Sequence, residues 1–371
     1  MGWGMAKKPA RGWKPEEPYN ELPDLPAAAF LETPAVLKAA LAARAAVAEL
    51  NRLAAKLPNP GILVRTLPLM EARCSSEIEN IVTTDDALFR SADLPDEAAP
   101  PEVREASRHA EALLEGFHGL AKLPVCSRLA QQVCSRIKGH PMAIRRMPGT
   151  ILASRSRVMY TPPVGEAVIR RLLANWEAYL HAPKGADPLI RMAVSHYQFE
   201  AIHPFTDGNG RTGRILNSLY LVESGLLEQP ILYLSRYILA NRAEYYRLLN
   251  AVTSDEAWEP WVLYMLTGVA KVATWTAGKV RAIHLLLEST QKQIAKMCSD
   301  LPLDEIMRAI FEQPYCRIRH LVDAGIAKRE TASIYLVQLT KAGVLTEIKQ
   351  GRDKLFLNHR LVALLTNPED R

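Results

Sequence analysis

Two helices joined by a loop of glycines, one acid and two arginines lie at the middle of this chain, and that order constrains the fold more than any other feature. The loop and its flank, His203 to Asn217, read H-P-F-T-D-G-N-G-R-T-G-R-I-L-N. Asp187 as N-cap and Pro188 in the first turn open the preceding helix, and Ile190, Ala193, Val194, Tyr197 and Ala201 recur at helical spacing. Pro204 disfavours the α conformation at the residue before it, so that helix is predicted to end at His203. A second helix is predicted from about Gly210 to Ser224, turning Ile215, Leu216, Leu219, Tyr220 and Val222 inward and stopping at Gly225. Gly208-Asn209-Gly210-Arg211-Thr212-Gly213 has the letters of the dinucleotide fingerprint G-x-G-x-x-G, which requires a preceding strand and a βαβ unit. A helix stands where that strand must be, so the dinucleotide reading is rejected.

The physics that the two motifs share survives. Glycines at a helix start let backbone N–H groups approach an anion, and the helix dipole favours negative charge there. Arg211 and Arg214, three residues apart on the new helix, can grip phosphate oxygens from one side. Asp207 offers one carboxylate beside this cradle, the usual way Mg²⁺ is held together with substrate phosphates and water. His203, at the helix exit, has the ordinary pKa of a general base at neutral pH.

This stretch resembles the signature of the Fic family, H-P-F-x-D-G-N-G-R-x-x-R, at every fixed position. The resemblance implies an all-α core that transfers AMP from ATP to a Ser, Thr or Tyr hydroxyl of a target protein, or of itself. By that resemblance His203 deprotonates the hydroxyl, Asp207 holds Mg²⁺ and Phe205 packs into the core. Asn209 and the Gly208 and Gly210 amides hold phosphates, Arg214 takes the terminal phosphate, and Arg211, Thr212 and Gly213 complete the ATP-binding segment. The reverse reaction, removal of AMP at the same site, is an alternative that the residues leave open.

The chain has 371 residues, of which 48% are hydrophobic, enough for two or three packed domains. The expected division is an N-terminal arm and helices over 1–100, the catalytic core over 101–298 and a terminal module over 301–371. No apolar run reaches spanning length and no signal-peptide core opens the chain, so a cytoplasmic protein without membrane contact is expected. Five scattered cysteines without C-x-x-C spacing predict reduced thiols rather than zinc or disulfides. A net charge of +6 and a pI of about 9.0 permit acidic partners without demanding them.

Five prolines make residues 1–26 an extended arm, and Thr33-Pro34 opens an alanine-rich helix to about Leu57. A short helix over Leu69–Ile81 puts Ser75 and Glu79 on one face. Ser75-x-x-x-Glu79-Asn80 resembles the family's inhibitory motif, which implies that Glu79 pairs with Arg214 and blocks the γ-phosphate. Helices are predicted over Glu102–His118 and Ser127–Gly139, then strands over Thr150–Ala153 and Arg157–Tyr160. This hairpin resembles the family's flap, with Val158, Met159, Tyr160 and Thr161 docking the target by main-chain pairing. Tyr233–Leu249 closes the core, and Tyr245-Tyr246 resembles a family feature near the adenosine; aromatic faces suit a purine. Trp258 opens a helix to about Met297 with a break near Gly278.

From Leu303 three helices (Leu303–Gln313, Ile318–Ala324, Arg329–Lys341) precede a ribbon, Leu345–Ile348 and Lys354–Leu357, which describes a winged helix. Thr331 and Ser333 face outward on its recognition-helix candidate. Residues 301–371 hold eleven Lys/Arg against nine Asp/Glu, too balanced for a strong DNA binder. A protein contact or a homodimer fits at least as well, and a DNA-binding regulator with a vestigial Fic core is the alternative of a different class. The intact signature argues against vestige.

Overall fold

The computed structural model describes residues 13–26, 31–59, 61–92, 99–147, 152–154, 157–183, 185–298, 300–350 and 353–366. The oxygen of Thr33 accepts the amide of Val36, and Pro34 starts α1 (Pro34–Ala54). Its inward face of Val36, Ala40, Ala43, Val47 and Leu50 is mostly small, which lets it lie along a long later helix. Then follow α2 (Gly61–Ile78), α3 (Asp85–Ser91), α4 (Pro101–Gly119) and α5 (Ser127–Lys138). Gly139 closes α5 at φ 71°, a left-handed conformation suited to a residue without Cβ.

A hairpin of β1 (Leu152–Ser154) and β2 (Arg157–Tyr160) leads to α6 (Glu166–Leu180), α7 (Pro188–Ile202) and α8 (Asn209–Glu223). Thr150, expected to begin the first strand, lies outside the described residues. The core is completed by α9 (Leu234–Ala240), α10 (Arg242–Asp255) and α11 (Trp258–Met297). The terminal module contains α12 (Leu303–Glu312), β3 (Tyr315–Cys316), α13 (Ile318–Asp323), α14 (Arg329–Lys341), β4 (Thr346–Gln350), β5 (Asp353–Leu357) and α15 (His359–Thr366). Its antiparallel sheet has the order β3-β5-β4.

Two expectations are corrected, and two features are added. α2 begins at Gly61, not Leu69, and carries Pro68 inside it; burial of Ile62, Leu63, Leu67, Met70 and Ile78 outweighs the missing N–H. α11 runs unbroken for 40 residues through Gly278, because burial of Ala277, Val280 and Ile283 sustains it. The segment Tyr233–Leu249 is two helices divided at Asn241. β3 and α15 were not foreseen, the first being too short to carry an alternation.

One apolar core runs from Tyr19 in the arm to Leu365 in α15. The arm is fastened to the domain: Tyr19 N–H donates to Thr161 O at 3.0 Å, and the Gln198 amide donates to Pro23 O at 2.8 Å. The terminal module docks on the N-terminal helices, with Asn59 donating to Glu312 at 2.6 Å and the Tyr315 hydroxyl bonded to Asp86. Among the described residues no helix is long and apolar enough to cross a membrane.

Candidate active site

α7 and α8 meet at the signature loop. Asp187 caps α7 by accepting the amide of Leu189 at 2.8 Å, and the helix ends where Pro204 forces it to. His203 leaves it at φ 50°, a left-handed conformation that costs a non-glycine residue roughly 1–2 kcal/mol. Arg145, 4% exposed, holds that bend by donating to the carbonyls of His203 at 2.7 Å, Ile202 at 3.1 Å and Pro163 at 2.5 Å. The imidazole Nδ1 lies 3.4 Å from Glu200 O, a contact that favours the proton on Nδ1 and leaves the lone pair on Nε2. Burial, and then the Arg145 charge, push the His203 pKa down to about 4.

Asn209 folds the loop back on itself. Its side chain accepts Phe205 N–H and donates to Phe205 O, both at 2.8 Å. Each side-chain polar atom thereby makes one bond to the loop, and the second Nδ2–H remains beyond that pair. Phe205 is buried against Phe199, as expected. Gly208 starts α8 at φ 79°, where the left-handed backbone favours glycine. Gly213 lets α8 approach α7: a Cβ there would fall 2.7 Å from Glu200 Oε1 and 3.2 Å from Phe199. Thr212 is buried and spends its N–H on Gly208 O at 3.0 Å.

Both arginines of α8 are nearly inaccessible, and Glu79 serves both. Its Oε1 lies 2.8 Å from Arg214 Nη2 and its Oε2 lies 2.8 Å from Arg211 Nε. Arg214 also donates to the Ser75 hydroxyl at 2.8 Å and the Ser75 carbonyl at 2.9 Å. Gly210 makes room for the carboxylate, since a Cβ there would fall 2.6 Å from Glu79 Oε1. Glu79 stands one residue past the end of α2, in the turn that closes it, and it meets the same guanidinium as Ser75. Asn80 at φ 65° and the bond from Ile81 N–H to Ser76 O form a left-handed helix stop. Arg242 of α10 donates to Asn80 Oδ1 at 3.0 Å and ties this turn down.

Asp207 is on the open side of the loop, its side chain 57% exposed. Burial of its surroundings acts to raise its pKa, but Lys138, Arg211 and the Gly208 amide together hold it below the ordinary carboxylate range. A single hard oxygen donor beside an anion cradle fits Mg²⁺, whose remaining ligands are phosphate and water. Among the described residues no group of three or more His, Cys, Asp or Glu forms a metal cluster.

Two expectations at the rim need correction. Tyr245 is 1% exposed, with its hydroxyl 2.8 Å from His196 Nε2 and its ring against Trp261, so it is a core residue and presents no face to adenine. Tyr246 is 46% exposed and remains available. In the hairpin, Tyr160 is buried and donates to Ala201 O at 2.9 Å, while Thr161 donates to Pro15 O at 2.6 Å. These two anchor the hairpin to α7 and the arm; Val158 is half-buried and Met159 is exposed.

The signature sequence, the helical core around it and the paired arginines define a known class, and the chain carries domains of the Fic/DOC family. That family matches residues 127–221, its N-terminal domain matches 37–118, and the C-terminal domain of SoFic-like protein adenylyltransferases matches 286–361. A probable protein adenylyltransferase of Aquifex aeolicus is 30% identical over 177 residues, 46% of this chain and 53% of that protein. The protein adenylyltransferase fic-1 of Caenorhabditis briggsae is 36% identical over 108 residues, 29% of this chain and 20% of that protein. The chain thus matches about half the length, or less, of these curated relatives. Among solved structures, a Fic family protein from Desulfovibrio desulfuricans shares the fold with a TM-score of 0.57 at 20% identity, covering 88% of this chain and 97% of the other.

Proposed function

We propose that the chain is a protein adenylyltransferase that moves AMP from ATP to a hydroxyl of a target protein or of itself. The observation that carries this is His203, held at a helix exit directly before the Gly208–Gly210 cradle with Arg211 and Arg214 behind it. Nε2 of a neutral His203 takes the proton as the hydroxyl oxygen attacks the α-phosphorus. The new O–P bond forms as the bond to the β-phosphate oxygen breaks, and pyrophosphate leaves. Free N–H groups at the start of α8 receive phosphate oxygens, and Arg214 receives the terminal phosphate. Asp207 would hold Mg²⁺, which when bound supplies positive charge to the phosphates.

We further read Glu79 as an inhibitor on the same chain. A carboxylate on Arg214 uses the guanidinium that the γ-phosphate needs, so ATP enters with its phosphates displaced from in-line geometry. An error of roughly 1 Å suppresses transfer by about 10²-fold without abolishing binding. The terminal module fits a winged helix in its element order, with a protein partner favoured over DNA by its balanced charge.

The reading is tested with α-labelled ATP and Mg²⁺ on the intact chain carrying Glu79→Gly. His203→Ala in that background is expected to lower labelling by roughly 10²–10⁴-fold while ATP still binds. Undiminished labelling without His203 would remove the base from the mechanism.

A further inference from the structure

Lys138, the last residue of α5, takes no part in the chemistry described so far, yet its ammonium stands inside the site. Nζ lies 2.6 Å from Asp207 Oδ2 and 3.4 Å from Glu105 Oε1 on α4. Its side chain is 19% exposed, against 57% for Asp207. The signature loop packs on its stem: a Cβ on Gly208 would lie 3.6 Å from Lys138 Cδ. Glu105 is paired in turn with Arg211. Asp207, Lys138, Glu105, Arg211, Glu79 and Arg214 therefore form one network of alternating charge from the open carboxylate to the buried arginine, and Arg211 Nη2 also stands 3.7 Å from the other oxygen of Asp207, Oδ1.

An ammonium and a divalent cation compete for the same carboxylate lone pairs. An ammonium on Asp207 Oδ2 disfavours a divalent cation at the same oxygen, because like charges at contact distance repel in a partly desolvated site. A released Lys138 has a second acceptor within reach in Glu105, so displacement does not strand a half-buried charge. Three elements are arranged for this exchange, with α5 supplying the cation, α4 the second acceptor and the signature loop the shared carboxylate.

We propose that Lys138 is a built-in counter-cation for Asp207 which a divalent metal must displace, that Glu105 receives the displaced ammonium, and that the pair sets the metal affinity of the site. This makes Lys138 and Glu105 positioning residues, and it rests on the reading of Asp207 as the metal ligand.

The test is calorimetric titration of a non-transferable ATP analogue, with Mn²⁺ or with EDTA, into the full chain carrying Glu79→Gly. The quantity read is the metal-dependent gain, the ratio of the two dissociation constants. Lys138→Met is expected to raise that gain roughly 3- to 10-fold, the worth of a partly buried ion pair. Lys138→Arg, which keeps a charge there, is expected to leave it near the parent value and serves as the folding control. Glu105→Gln is expected to lower the gain, and that effect is expected to vanish when Lys138→Met is also present. A gain unchanged or reduced by Lys138→Met overturns the proposal, as does a loss confined to the EDTA arm, which would make Lys138 a phosphate contact. If no chain shows a metal-dependent gain although nucleotide binds, the reading of Asp207 fails as well, and the two failures are thereby distinguished.

Discussion

His203 combines two opposed properties: its bend costs energy, and its ring is kept neutral. With its pKa pushed down to about 4, the imidazole is free to accept a proton throughout the physiological range. With His203 as the proposed base, its deprotonation does not limit kcat/KM between pH 6 and 8, and a profile free of an inflection near 6.5 is expected. An acidic limb centred at 6.5 would contradict the burial of the ring. Arg145 supports the bend by donating to three carbonyls. Arg145→Met leaves those carbonyls without their donor and is expected to destabilise the chain by about 2–4 kcal/mol, with transfer falling further than nucleotide affinity. Denaturant midpoints beside kcat and KM separate the two effects.

The elements show where sequence reading succeeds. The signature, its flanking helices and the Ser75/Glu79 pair were legible because a specific local pattern carries each of them. Contacts across elements were not: Arg145 sits in an undistinguished I-R-R-M, and Lys138 before Gly139 reads only as a cation at a helix end. Tyr245 and Tyr246 look equivalent in sequence, and packing alone sends one to Trp261 and the other to the surface. Gly278 suggested a break that burial overrides, and burial likewise carries α2 through Pro68. At this scale Ser75→Ala is expected to raise AMP transfer modestly, less than Glu79→Gly, because it removes one of the Arg214 contacts and leaves the carboxylate. A rise equal to that of Glu79→Gly would shift the inhibitory role from the carboxylate to the helix end.

For the whole molecule, buried titratable groups set the pH dependence of stability in two opposed directions. Burial lowers His196 from 6.5 to about 3, so the unfolded chain takes up that proton first, and its stabilising share is lost as pH falls below 6.5. Burial raises Glu200 from 4.5 to about 7, so its share is present below 4.5 and lost as pH rises through 7. His196→Phe is expected to lose less stability than the parent on going from pH 6.5 to 5, and Glu200→Gln less on going from pH 5 to 6.5. Each difference is about 1.4 kcal/mol per pH unit, read from denaturant midpoints; parent-like slopes in either variant would contradict the burial of that group. The terminal module, with its charge balance, is expected to bind duplex DNA weakly in an anisotropy titration at physiological salt, and sequence-specific affinity tighter than about 10⁻⁸ M would overturn that.

The carboxylate shared by Arg211 and Arg214 joins these scales, since on the proposed reading one side chain at the end of α2 decides whether the phosphate cradle is free. Intact-protein mass spectrometry of three chains incubated with ATP and Mg²⁺, namely the parent, Glu79→Gly, and Glu79→Gly with His203→Ala, measures this directly. AMP-sized mass additions are expected to accumulate on Glu79→Gly, or on a supplied target, at least 10-fold faster than on the parent, the scale of phosphate misplacement, and to return to background in the double variant. Transfer that is unchanged or lowered by Glu79→Gly would contradict inhibition by Glu79 and leave that carboxylate either a surface charge or a participant in AMP removal.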